Sequence, residues 1–156
     1  MKTVSLRKLK LLGACTQQLK LFRELFGDRC TVSVDLCVSH AAQFDWNWAA
    51  QHLLTQERDI DYRAKCAPLY TDWQAARDAL DADWRAKRAP LDADWRAKCA
   101  ALYTDYHQAK RAPLDADYQA KCAALYADYR AKRAALDTDY WVDRARAFAT
   151  VFLLDS

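Results

Sequence analysis

Glycine occurs only twice in the 156 residues, at Gly13 and Gly27, and proline three times. With so few residues suited to tight turns, a succession of short elements is excluded and few, long ones are expected. No apolar run reaches the roughly 20 residues needed to cross a bilayer. An excess of one charge is also missing. The 24 basic side chains stand against 21 acidic ones, seven against five in residues 1–57 and seventeen against sixteen in the rest. Neither part is a polybasic arm, so a dominant electrostatic pull on nucleic acid is not indicated.

Cysteine is plentiful, with six copies, but no secretory signal precedes them and their spacing forms no CxxC framework. Reduced thiols in the cytoplasm are expected. The stretch "LLGAC", Leu11 to Cys15, resembles a lipoprotein cleavage box. Arg7, Lys8 and Lys10 occupy the place of the apolar stretch that export requires, so export is not expected.

What the chain does have is an eleven-residue repeat. It begins at Arg58, Leu69, Leu80, Leu91, Leu102, Leu114, Leu125 and Leu136, with one extra residue between Leu102 and Leu114. The fourth position is always aspartate and the fifth always aromatic: Tyr62, Trp73, Trp84, Trp95, Tyr106, Tyr118, Tyr129 and Tyr140. Eleven residues make three turns of about 3.67 residues, close to a relaxed helix, so the repeat is read as helical. On the helical wheel, positions one, two, five and nine share a face, and alanines lie opposite. The stripe Leu80, Trp84, Leu91, Trp95, Leu102, Tyr106, Leu114, Tyr118, Leu125 and Tyr129 is the predicted interaction surface. Asp83 with Lys87 and Asp94 with Lys98 have the favourable i,i+4 order.

The ninth position obeys a second rule. When it is cysteine, tyrosine follows four residues later (Cys66 and Tyr70, Cys99 and Tyr103, Cys122 and Tyr126). When it is Arg77, Arg88, Arg111 or Arg133, aspartate follows instead. Contact between residues four apart on a helix explains this matching, and so does copying of whole blocks; sequence leaves both open. Pro68, Pro90 and Pro113 all fall at position eleven and are read as kinks, since each removes a helical hydrogen bond. The extra residue in "TDYHQAKRAP" marks the place for a fold-back near His107. A continuous helix over residues 58–148 would be ~135 Å long, and an exposed stripe of that length would need a partner.

Residues 1–57 are not repetitive and read as a small helical head. "SLRKLKLL" and "CTQQLKLFRELFG" carry Leu and Phe at helical spacing, with Gly27 as a stop. "TVSVDLCVSHAAQF" starts as a short strand and continues as helix, and Asp45 is positioned to cap the helix in "FDWNWAAQHLL". Phe22, Phe26, Phe44, Trp46 and Trp48 are the expected core. A core of this size is marginal alone and should lean on the repeat helix or on a second chain. The fold class is therefore all-α: a head over 1–57, a coiled-coil-like repeat helix over 58–148, kinked at proline or folded back once, and a tail over 149–156.

The order "GACTQQLKLFRELFG", "FDWNWAAQHLL" and then eleven-residue repeats resembles uncharacterised proteins encoded by bacteriophages and prophages. That resemblance implies a bacterial host cytoplasm and a phage accessory role, and it brings no catalytic residues with it.

Other candidate sites have plain structural readings. Cys30, Cys37, His40 and His52 match no standard zinc spacing and read as packing, so no metal or cofactor is expected. Cys66, Cys99 and Cys122 read as small apolar filler, His107 as a solvated turn residue, and paired aspartates such as Asp81 and Asp83 as surface charges with basic neighbours. The expected function is a non-enzymatic interaction protein that associates with itself and with an unidentified host or viral protein complex, inhibition of a host defence system being one form of this. The alternatives are apolipoprotein-like binding to a membrane surface and, third, nucleic-acid binding by aromatic and arginine stacking.

Overall fold

The structure is a computed structural model that describes residues 2–104 and 108–154; the side chains of 103–110 lie outside the description. In chain order the elements are β1 (Thr3–Ser5), α1 (Leu6–Leu11), α2 (Thr16–Phe26), β2 (Arg29–Thr31), α3 (Val34–Ser39), α4 (Trp46–Leu53), α5 (Gln56–Thr104) and α6 (Gln108–Leu153). The fold is α-helical as expected. The small addition is the antiparallel β1–β2 pair, with Val4 opposite Cys30.

Local chemistry accounts for the head's helix ends. Ser5, Ser33 and Asp45 each accept backbone N–H bonds as N-caps, Asp45 Oδ1 taking both Asn47 and Trp48 at 3.0 Å. Gly27 ends α2 at φ 69°, a left-handed conformation costly for any residue with a Cβ. The three prolines do not interrupt the helices: α5 runs through Pro68 and Pro90, and α6 through Pro113. All three are exposed, so water can serve the carbonyl that each deprives of its N–H partner.

The chain groups into two compact units, residues 1–72 with 138–156, and residues 73–137. The first holds an apolar core. Phe22, Trp46 and Ala50 of the head pack with Tyr62 at the start of α5 and with Ala145, Phe148, Ala149, Val151 and Phe152 near the end of α6. Ala149, Val151 and Phe152, which sequence assigns to a tail, thus belong to the core. The head leans on the repeat helices, and Phe148 lies 5.3 Å from Trp46 and 6.3 Å from Tyr62, ring centre to ring centre. Phe26, Phe44 and Trp48 pack around this core half-buried.

In the second unit, α5 and α6 run antiparallel with their stripes facing one another, as the pairs Trp95–Asp115, Asp92–Tyr118 and Asp81–Tyr129 show. The turn expected at His107 lies outside the described residues. No described residue of this unit is fully buried.

Candidate functional site

Sequence placed the interaction stripe on the repeats, and the second unit brings that stripe onto itself. Leu80, Trp84, Leu91, Trp95, Leu102, Leu114, Tyr118, Leu125 and Tyr129 are all half-buried along the seam; Tyr106 lies outside the described residues. The Trp84 ring lies tilted against Tyr129 at 5.6 Å, and Trp95 stacks on Tyr118 at 5.2 Å. The inference that the stripe needs a second chain loses its basis here, because α6 covers in part what α5 would have exposed.

The polar partners in this seam follow from the repeat. Position five of one helix faces position two of the other. Where position two is aspartate it accepts the aromatic's proton: Trp73 Nε1 donates to Asp137 at 2.9 Å, Trp95 Nε1 to Asp115 at 2.9 Å, and the Tyr118 and Tyr129 hydroxyls to Asp92 and Asp81 at 2.5 Å. The ninth-position arginines close the arrangement from behind, Arg88 on Asp92, Arg111 on Asp115 and Arg133 on Asp137, each at 3.6 Å. The arginine–aspartate matching is therefore a contact in three repeats. Arg77 departs from it: its guanidinium lies 5.3 Å from the Trp73 ring, and Arg133 reaches Asp81 at 4.0 Å. The Tyr118 hydrogen bond, and then the Arg88 charge, hold the Asp92 carboxyl below its usual value against the opposing effect of burial. The same register puts Trp84 opposite Tyr126 instead of an aspartate, and Trp84 Nε1 is buried with no hydrogen-bond partner.

Outside the seam, the solvent face carries the expected lysine pairs, Lys87–Asp83, Lys98–Asp94 and Lys121–Asp117 at 2.7 Å and Lys132–Asp128 at 2.8 Å. The hypothetical zinc set does not assemble: among the described residues no group of three or more His, Cys, Asp or Glu side chains could hold a metal. His40 pairs with Gln43 and His52 stacks on Trp48 at 4.4 Å. Cys30 and Cys37 line an apolar cavity of about 300 Å³ in the head together with Phe22, Phe26, Trp48 and Leu53. Burial, with a smaller contribution from Cys30, pushes the Cys37 thiol up to about 12, so it stays protonated and inert.

Sequence reasoning missed the most unusual polar group, Arg144. It is the ninth residue of the last repeat, but the residue four later is Phe148, drawn into the core, where other arginines have aspartate. Arg144 is 7% exposed and is the buried charged residue of the first unit. Its Nη2 donates to Asn47 Oδ1 and, at 3.0 Å, to the Tyr62 hydroxyl; Nη1 is 3.5 Å from the Tyr140 hydroxyl. All three acceptors are neutral, no ion pair reaches Arg144 among the described residues, and its Nε is buried without a partner. Burial above all, helped by a hydrogen bond with Cys66 and opposed by Arg144, raises the Tyr62 phenol far above its ordinary value, so the phenol does not supply the missing anion. Around the guanidinium lies an aromatic patch. Trp141 and Tyr140 rings are 5.4 and 5.5 Å from it, Tyr140 is 6.5 Å from Tyr70, and Trp141 and Tyr70 are 36% and 50% exposed. The signal available in sequence was the broken arginine–aspartate rule at this single repeat.

No family model, curated protein or solved structure matches the chain.

Proposed function

We propose that this chain is a non-enzymatic interaction protein whose partner docks on the Tyr70, Tyr140, Trp141 and Arg144 patch of the first unit. The observation that carries the reading is the composition and exposure of this patch, because tryptophan, tyrosine and arginine dominate the energetics of protein interfaces. The repeat stripe itself is engaged along the seam, which counts against laying it on a membrane surface. The described lysines of the second unit, Lys87, Lys98, Lys121 and Lys132, are paired with aspartate and two of its indoles donate to carboxylates, which counts against base stacking along the helices. The likeness of the head to phage-encoded proteins directs the search for the partner to host and viral complexes in a bacterial cytoplasm, with a second copy of the chain as one candidate.

The test compares the wild-type chain with Trp141→Ala in affinity capture from a bacterial lysate, alongside light scattering of the purified proteins. Loss of a specific captured protein, or of self-association, in the variant supports the patch. Identical capture and identical mass for both chains removes it.

A further inference from the structure

The geometry points to a carboxylate site at Arg144: we infer that the protein partner places an aspartate or glutamate side chain on its guanidinium, in the position now held by the Asn47 amide. This deepens the docking reading above and rests on it. A buried guanidinium with no counter-ion is costly unless a charge reaches it, and the three oxygens around Arg144 are neutral. Nε and one Nη share an edge of the guanidinium fork, and a carboxylate matches that edge with two parallel hydrogen bonds where an amide oxygen supplies only one. Here Nη2 is bonded to Asn47 while Nε is buried and unbonded, so one oxygen of a carboxylate would replace the amide and the other would meet the unserved Nε. Access is from the surface, because Asn47 is exposed and stands in the first turn of α4, with Trp141 exposed at the rim. The rim aromatics would shield the ion pair from water and so strengthen it.

The probe is N-acetylaspartate amide, with the neutral N-acetylasparagine amide and inorganic phosphate as controls at equal ionic strength, read by the Arg144 Nε–H resonance in ¹⁵N NMR. Arg144→Lys, which keeps the charge but lacks this group, assigns the signal. The expected result is a saturable shift with the acidic amide, no shift with the neutral one, and loss of the response in Asn47→Asp, which fills the site from within and raises the melting temperature. No shift with the acidic amide, an equal shift with the neutral amide or with phosphate, or an undiminished response in Asn47→Asp overturns the inference. The two readings fail separately. Capture that depends on Trp141 without any Nε–H response sinks the carboxylate and keeps the docking patch; a response with capture unaffected by Trp141→Ala does the reverse.

Discussion

The two units are made from overlapping material and are stabilised in different ways. The first fills volume: Tyr62 and Val151 are almost completely buried, and the head's aromatics interlock with Phe148 and Phe152. The second has one seam between two helices and no fully buried described residue, and it relies on indole and phenol groups donating to aspartates that arginines support. Two helices alone cannot enclose a side chain on all sides. A repeat confined to such a pair must therefore specify its register with polar partners, whereas a core with several layers can do so by shape.

That contrast can be broken in order of expected effect. Phe148→Ala removes a ring from the enclosed core and should destabilise the first unit by about 3–5 kcal/mol in urea unfolding; a loss under 1 kcal/mol would mean that this core collapses around the cavity. Trp95→Ala should cost about 2 kcal/mol, less than a fully enclosed aromatic, because the ring is half-buried. Equal losses at Phe148 and Trp95 would erase the distinction between the units.

A finer comparison uses one substitution at one repeat position. Trp95→Phe deletes the proton that Asp115 accepts and should cost about 1 kcal/mol. Trp84→Phe deletes a proton that has no acceptor and should cost less, or stabilise. If both variants melt alike, the indole–aspartate bonds do not hold the seam.

The smallest effect is acid sensitivity. Asp92 has a folded pKa below the ordinary 3.8, so its contribution is complete above that value and is lost as pH falls below it through the folded value. Melting temperatures measured from pH 6 to pH 2 should fall less steeply for Asp92→Asn than for the wild type, and superimposable slopes would count against the Tyr118–Asp92–Arg88 arrangement.

Much of the architecture was legible in the residues. The eleven-residue phase identified the face made of positions one, two, five and nine, and of the two explanations left open for the arginine–aspartate matching, contact is the one seen at Asp92, Asp115 and Asp137. Asp45 and Gly27 marked helix ends because capping is local chemistry. A short strand was expected to start at Thr31, where β2 in fact ends, while β1 escaped notice because a three-residue strand carries no readable alternation. The prolines did not mark helix ends: α5 continues through Pro68 and Pro90 and α6 through Pro113, each on an exposed face where water can serve the carbonyl left without its N–H partner.

By itself, then, the sequence determined the helical period, the composition of the seam and the charge pairs on each helix, since all of these act between residues three or four apart. Only the tertiary structure decided that the stripe would face its own copy within the chain, and that the end of α6 would complete the head's core. It also decided that Arg144 would be buried without an anion. Those outcomes depend on which distant surfaces exclude water together, and a local period carries no information about the residue on the far side of a contact.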